Sequence, residues 1–354
     1  MPNNLLPLIA FLSEISRINK NQPHKKFCFI LGAGASKSSG IPLAEELVDR
    51  WLKQIKIRNP RYKDLDYNNF IIQWGNDLKQ PIEINFNNRA EFYSNIYYEL
   101  YKDNKSLGQA EITNLTEKGH PSIGYLFLAE ILKNTHHNTV ITTNFDNLII
   151  KALGYSSIYP LVCHLPEMPK YINNYHNGPK INKIHGDVFF QQQHNLNSSL
   201  DPIWKNIIDN IFQTHILIIA GYSGNDNTLF SALKTSPHLN NKNNNGSHIY
   251  WMHYKGTNKE PSEPSAKIKT LLSEQKGKYV PICGFDELML LIHNVLSSKE
   301  HDPHDFSTYL MDEANKFIDE LNHKNNEFIS KIQTQIPKLK KNIAKLDTRR
   351  TESC

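Results

Sequence analysis

Residues 27–42 read FCFILGAGASKSSGIP, in which an apolar run passes directly into a glycine-rich turn. The run from Phe27 to Leu31 is short and bounded by glycine, as is typical of a buried strand. An amphipathic helical pattern follows the turn, from about Leu43 to Ile57. A glycine turn between a strand and a helix allows the backbone to approach a pyrophosphate closely. The stretch therefore predicts the first strand of a ligand-binding α/β sheet.

The turn departs from the common GxGxxG fingerprint of dinucleotide-binding domains, because Lys37 stands where the third glycine would fall. No acidic residue is clearly placed to bind a ribose at the end of a second strand. A tight turn with a purely structural role therefore stays open as the alternative.

Further apolar runs follow along the chain and alternate with helical patterns. This alternation predicts an α/β fold with a Rossmann-like, doubly wound parallel sheet. The predicted strands span residues 27–31, 139–141, 180–184, 215–220, 248–253 and 278–282.

The length of 354 residues predicts one large domain with an appendage. About a hundred residues separate the first two predicted strands, which is too many for one crossover helix. We therefore predict a mostly helical insertion over residues 58–120 that forms a lid or subdomain. The whole domain, with this insertion, is predicted to span residues 1–297.

Residues 298–354 are predicted to form a helical C-terminal extension. Its apolar residues Ile332, Ile336, Leu339, Ile343 and Leu346 follow a four-three spacing, which is a heptad seam. Pro337 is expected to break or kink this helix. The seam predicts a homo-oligomer that assembles through helical regions, and a helix folded back on its own domain is the alternative.

The composition limits the classes of function. The four cysteines form no CxxC pair, so neither a disulfide framework nor a zinc knuckle is expected, and a reducing cytoplasm is the expected compartment. A formal net charge of +5 gives little support to nucleic-acid binding. No apolar run approaches the roughly 18–20 residues of a membrane span, and the N-terminus lacks the leading basic segment of a signal peptide.

Small and polar residues also follow later predicted strands, in the motifs TTNFD (142–146), IHGD (184–187) and GYSGND (221–226). The carboxyl ends of parallel strands meet at one edge of the sheet, where doubly wound folds bind their ligands. Each motif has a structural alternative: Asn144 and Asp146 can cap the next helix, and His185 is one of sixteen histidines. Their shared position at one edge predicts a ligand site.

The order of these motifs, GAGAS with SGIP, then TTNFD, HG and GYSGND, resembles the sirtuin family over roughly residues 25–297. The resemblance implies that NAD binds as a substrate and that no metal is required. It implies that His185 is the catalytic general base and that Asn144 also acts in catalysis. The residues that it places around NAD are Gly32, Ala33, Gly34, Ser36, Thr143, Asn144, Asp146, Gly221, Ser223, Asn225, Gly284 and Phe285.

Two departures from the protein-deacylating sirtuins narrow this resemblance. Those enzymes carry a four-cysteine zinc module after the His motif, whereas only Cys163 and Cys283 lie anywhere near it here. They also follow GIP with a Phe-Arg pair, whereas this chain continues with LAEEL. The LAEEL and GYSGND variants are similar to sirtuin-like NAD-hydrolysing effectors of bacterial antiphage defence, such as those of Thoeris systems or those paired with a HerA-type ATPase.

This narrower resemblance implies an NAD glycohydrolase that releases nicotinamide and ADP-ribose, with a sensor or ATPase as a possible partner protein. Two alternatives belong to other classes. One is an NAD-dependent deacylase or ADP-ribosyltransferase, in which a protein takes the place of water. The other is a non-catalytic module that senses NAD or ADP-ribose and has no need of His185.

Overall fold

The computed structural model describes residues 4–165, 168, 177–186, 201–239, 248–256 and 263–297, together with 315, 318–319, 330 and 332–341. Within these residues the chain forms a seven-stranded, all-parallel sheet, in the order β3-β4-β2-β1-β5-β6-β7. The strands are β1 Lys26–Leu31, β2 Thr139–Thr142, β3 Leu161–Cys163, β4 Lys180–Lys183, β5 His215–Ala220, β6 Ile249–Tyr254 and β7 Lys278–Ile282. The predicted α/β fold class is therefore confirmed.

Helices cover both faces of the sheet, as the alternating side chains of the central strand require. Phe27 and Phe29 point into one core and Cys28 and Ile30 into the other, and all four are fully buried. The helices of the first core are α1 Leu8–Asn21, α6 Ile123–Asn134, α7 Leu148–Tyr155 and α11 Phe285–Leu296. Those of the second core are α8 Pro202–Thr214, α9 Asn227–Thr235 and α10 Ala266–Glu274.

The segment between β1 and β2 adds a third, separate core. It contains α2 Ala44–Arg58, α3 Tyr67–Asp77, α4 Tyr93–Tyr101 and α5 Lys105–Glu117, with short 3-10 helices at Pro60–Tyr62 and Arg89–Phe92. The ring of Trp51 in α2 lies 4.9 Å from that of Tyr93 and 5.3 Å from that of Tyr97, between ring centroids. Arg89 Nε lies 2.5 Å from Asp49 Oδ1, and Arg89 Nη2 lies 2.8 Å from Glu45 Oε1. Residues 58–120 thus fold as helices docked on α2.

The described part of the C-terminal extension packs against the domain. Residues 332–341 are helical, and Ile332 and Leu339 are buried in the first core with Ile336 packed beside them. We predicted a break or a kink at Pro337; the helix continues through it, so there is no break. Side chains on both sides of Pro337 are buried in the first core, and this burial opposes the roughly 3 kcal/mol that an interior proline costs. The seam residues Ile343 and Leu346 lie outside the described residues, as does Asp187 of the IHGD motif.

None of the described helices is long and apolar enough to cross a membrane.

Candidate functional site

The loops after β1 and β5 leave the sheet where its strand order reverses, which is the usual ligand position in doubly wound folds. These two loops interlock through their glycines. A Cβ on Gly32 would lie 2.6 Å from Gly221 O, and a Cβ on Gly34 would lie 2.8 Å from Gly221 Cα. Gly221 itself has φ +68°, and a Cβ there would lie 2.1 Å from Ala35 N. Only glycine fits these three positions without moving backbone.

The hydrogen bonds of this interlock use backbone amides of the glycine-rich turn, which the sequence predicts to approach a pyrophosphate. Gly32 N donates to Ala220 O (3.0 Å), and Gly34 N donates to Gly221 O (2.8 Å). The turn continues as a 3-10 helix over Ala33–Ser39, and α2 begins only at Ala44. Helix α2 thus begins within one residue of its predicted start at about Leu43, and a 3-10 helix separates it from the glycines.

A cavity of about 1580 Å³ opens at this edge of the sheet. It exceeds the roughly 300–1,000 Å³ of ordinary small-molecule pockets. The insertion, through Tyr93 and Thr116, and the C-terminal helix, through Lys338 and Leu339, form part of its wall. Of the residues predicted for the site, all except Gly32 line the cavity: Ala33, Gly34, Ser36, Thr143, Asn144, Asp146, His185, Gly221, Ser223, Asn225, Gly284 and Phe285.

Ser36 joins the first motif to the second. Its fully buried hydroxyl donates to Asp146 Oδ2 (2.7 Å) and accepts from Asn144 Nδ2 (3.0 Å), and Tyr125 OH lies 2.9 Å away. Asn144 Nδ2 also donates to Gly32 O (3.0 Å). Both amide hydrogens of Asn144 are therefore engaged, and the group that it offers to a ligand is its Oδ1 acceptor.

Asp146 has a structural role as well as a place in the cavity. Its Oδ1 accepts from Leu148 N (3.1 Å) in the first turn of α7, which is the helix-capping role considered for this motif. Burial raises the pKa of the Asp146 carboxyl, and the hydrogen bond from Ser36 opposes this shift. The carboxyl thus supports the loop from which Asn144 reaches the glycine turn.

Lys183 in β4 binds the loop that carries Asn144 and Asp146, and it was not predicted from the sequence as part of the site. It is almost fully buried, and its Nζ donates to Phe145 O (2.9 Å), Asp146 O (2.7 Å) and Asn147 Oδ1 (2.8 Å). A lysine inside a predicted buried strand is the signal that could have found it, because a buried ammonium needs several acceptors.

His185 lies in the turn after β4 and is 8% exposed. Its Nε2 is 3.3 Å from Asp226 Oδ1 and 3.4 Å from Thr228 Oγ1. Asp226 caps α9 by accepting from Thr228 N and Leu229 N, both at 3.0 Å. Burial alone raises the pKa of Asp226, but the hydrogen bonds from His185, Thr228 and Tyr222 bring it below its ordinary value. Asp226 belongs to the GYSGND motif, yet its contact with His185 was not foreseen.

The loop after β7 supplies both a predicted and an unforeseen part of the cavity wall. The ring of Phe285 packs against Tyr125, with 5.0 Å between centroids, and belongs to the first core. Asp286 Oδ1 accepts from Ser122 Oγ (2.6 Å) and Gly124 N (3.0 Å), and burial raises the pKa of its carboxyl. The acidic side chain next to the predicted Gly284 and Phe285 was the available signal for Asp286.

Comparison with known families gives a match over part of the chain. Residues 138–276 match the model of the SIR2-like domain, which includes the loops that carry Asn144, His185 and Asp226. No curated protein matches the chain. The match supports a sirtuin-like domain with an NAD-related activity, since SIR2-like domains are NAD-dependent enzymes. Among the residues that the structure describes, no group of three or more His, Cys, Asp or Glu side chains could hold a metal ion.

Proposed function

We propose that the chain is an NAD glycohydrolase that cleaves NAD to nicotinamide and ADP-ribose. One observation carries the proposal: Asn144, His185 and the interlocked glycine loops converge on one large cavity at the switch point of a parallel sheet. The SIR2-like match over residues 138–276 supports NAD as the substrate.

In this reaction the main task of the protein is to position the substrate. The bond between the ribose C1′ and the pyridinium nitrogen breaks with its electron pair going to nicotinamide, which leaves as a neutral base. The ribose carbon passes through an oxocarbenium-like state, as in glycoside cleavage. The oxygen of water then bonds to C1′, and the water gives up a proton. No metal takes part in these steps.

Two side chains of the cavity suit this chemistry. An imidazole nitrogen that carries no hydrogen is a proton acceptor, so neutral His185 can accept a proton from the water or from a ribose hydroxyl. The Oδ1 of Asn144 is an acceptor that can hold a hydrogen of either group, because its Nδ2 is fixed on Gly32 O and Ser36 Oγ. We assign the remaining predicted residues that line the cavity to NAD contact. Gly32 and Gly34 act through the shape of the turn rather than as amide donors.

We further propose a role as an antiphage defence effector that depletes cellular NAD. This role rests on the resemblance of LAEEL (43–47) and GYSGND (221–226) to sirtuin-like effectors of bacterial defence. A homo-oligomer, and a sensor or ATPase partner that triggers activity, belong to the same proposal.

Chromatography of NAD incubated with the purified chain, with and without an acetyl-lysine peptide, separates the candidate activities. A glycohydrolase releases nicotinamide and ADP-ribose in both samples. Nicotinamide that appears only with the peptide would indicate a deacylase and contradict the proposal. Thermal stabilisation by NAD without any product, in the presence of the activating partner, would indicate a binding module.

A further inference from the structure

The ring of His185 is held by acceptors on one side. Its Nε2 faces Asp226 Oδ1 at 3.3 Å and Thr228 Oγ1 at 3.4 Å. The positions of the hydrogens on these two partners therefore decide which nitrogen of the imidazole carries its proton.

Asp226 is surrounded by donors. Its Oδ1 accepts from the amides of Thr228 and Leu229 and from the Thr228 hydroxyl, and its Oδ2 accepts from the Tyr222 hydroxyl. Four donors around one carboxyl stabilise its ionised form, and an ionised carboxylate offers acceptors only. Toward Nε2, Asp226 can therefore act only as an acceptor.

The Thr228 hydroxyl also acts as an acceptor toward Nε2. Its single hydroxyl hydrogen is donated to Asp226 Oδ1, so its oxygen presents a lone pair to the ring. Since both neighbours of Nε2 are acceptors, Nε2 must carry the hydrogen. A neutral imidazole has one N–H, so Nδ1 keeps its lone pair.

We infer that Asp226 is a positioning residue that holds neutral His185 in the Nε2–H form and leaves Nδ1 as the atom that accepts a proton during NAD cleavage. This inference rests on the proposed function for the role of Nδ1. In the reaction, the proton of water or of a ribose hydroxyl moves to Nδ1. The resulting imidazolium keeps both hydrogens, with its positive charge beside the Asp226 carboxylate. Asp226 touches neither water nor ribose in this scheme.

The tautomer can be measured without substrate by nitrogen NMR of histidine-labelled full-length protein at alkaline pH, where imidazoles are neutral. The signals of His185 are those that disappear in His185→Gln. The expected wild-type spectrum shows a protonated Nε2 and an unprotonated Nδ1. A wild-type His185 that is protonated on Nδ1 would overturn the inference, and no variant is needed to obtain that result.

Asp226→Ser tests the cause of the tautomer. Serine keeps an acceptor at the start of α9 but removes the carboxylate from His185, and the Thr228 hydroxyl is then able to donate to Nε2. We expect part of the protein to shift to the Nδ1–H form. Tyr222→Phe is the matched control, because it removes a donor from Oδ2 of the same carboxylate and leaves Oδ1 facing the ring. Identical His185 spectra in Asp226→Ser and wild type would overturn the role of Asp226.

Kinetics link the tautomer to the reaction. Asp226→Ser should lower kcat for nicotinamide release, because part of His185 is then in the unreactive tautomer and the imidazolium loses its neighbouring carboxylate. The upper limit is about 10⁴-fold, the loss for a base held wholly in the wrong tautomer, and the KM for NAD should stay nearly unchanged. A raised KM with an unchanged kcat would show that Asp226 serves binding and would overturn the positioning role. Failure of the proposed function is distinguishable, because a chain without NAD cleavage would still show the Nε2–H tautomer.

Discussion

The hydroxyl of Ser36 shows how much of the candidate site is internal scaffold. Ser36 lies in a glycine-rich turn, and the resemblance to sirtuins implies that it contacts phosphate or ribose. In the structure this hydroxyl is fully buried and lies between Asp146, Asn144 and Tyr125. Ser36 lines the cavity, but its hydroxyl also joins the glycine-rich turn to Asn144 and Asp146 of the TTNFD motif. Ser36 therefore fixes the position of Asn144.

A side chain at Gly34 would meet the backbone of Gly221. Gly34→Ala places a methyl group 2.8 Å from Gly221 Cα, which only a shift of the interlocked loops can relieve. We expect a loss of about 1–3 kcal/mol in the free energy of unfolding, as for other overpacked sites, together with weaker NAD binding. Chemical denaturation measures the first quantity and calorimetry the second.

Gly154→Ala is the matched control for Gly34→Ala. Gly154 lies in α7, and a Cβ there would meet nothing within 4 Å. Replacing a helical glycine with alanine should raise the free energy of unfolding by roughly 0.5–1 kcal/mol. Equal effects of the two substitutions would contradict the account of the interlocked loops.

The Asp286 carboxyl gives the stability of the protein a pH dependence. Burial raises its folded-state pKa above the ordinary value of 3.8. Its contribution to stability is therefore complete below pH 3.8 and is lost as the pH rises through the folded-state pKa. Asp286→Asn keeps an Oδ1 acceptor for Ser122 and Gly124 but has no charge to bury.

We therefore expect the stability of Asp286→Asn, relative to wild type, to increase as the pH rises from 3.8 through the folded-state pKa. Urea denaturation at a series of pH values measures this difference. A difference that stays constant across the series would show that burial does not raise the folded-state pKa of Asp286.

Among the elements, the central strands were predictable from sequence because both of their faces are buried. The apolar run of β5, His215–Ala220, was predicted with its observed bounds for this reason. Strand β3, Leu161–Cys163, was missed because three residues at the edge of the sheet form too short a pattern. The absence of a break at Pro337 was not predictable, because local propensity does not include packing against a distant core.

The helical insertion of residues 58–120 lies at the cavity, and NAD should therefore reduce its motion. Tyr93, Leu115 and Thr116 line the cavity, and Arg89 ties the segment to α2. We expect slower hydrogen exchange in α4 and α5 when NAD binds. Helix α8, which packs in the second core and lies outside the cavity wall, is the internal control and should not change. Unchanged exchange throughout the insertion would exclude a role as a lid.

The C-terminal helix, residues 332–341, should stabilise the domain through its buried side chains. Leu339 is 4% exposed, and Gln335 Nε2 donates to Ser38 O (3.0 Å). We expect Leu339→Ala to cost about 2–5 kcal/mol in the free energy of unfolding. Exposed Lys340→Ala should change it by less than about 0.5 kcal/mol.

The same variants address assembly. A helix folded back on its own domain predicts that Leu339→Ala changes stability and leaves the molecular mass in solution unchanged, as measured by light scattering. If Leu339→Ala instead lowers the molecular mass and the resulting monomer is as stable as before, the heptad seam lies between subunits.

On the scale of the whole molecule, the predictable part of the site is the edge of the sheet where it lies. Glycine and polar residues after successive strands indicate that edge because parallel strands end together. The side-chain partners were not predictable, since folding joins distant positions. Ser122 and Asp286 are 164 positions apart, and Ser38 and Gln335 are 297 positions apart. No local pattern reports such contacts.

Incubation of NAD with the full-length chain and with His185→Ala, followed by chromatography of the products, tests cleavage at this cavity most directly. Wild type should release nicotinamide and ADP-ribose in equal amounts. His185→Ala and Asn144→Ala should still bind NAD in calorimetry but release nicotinamide about 10²–10⁴-fold more slowly, because either the base or the amide that holds the water or the ribose hydroxyl is gone. A folded His185→Ala protein that is in the same assembly as wild type and cleaves NAD at the wild-type rate would contradict the assignment.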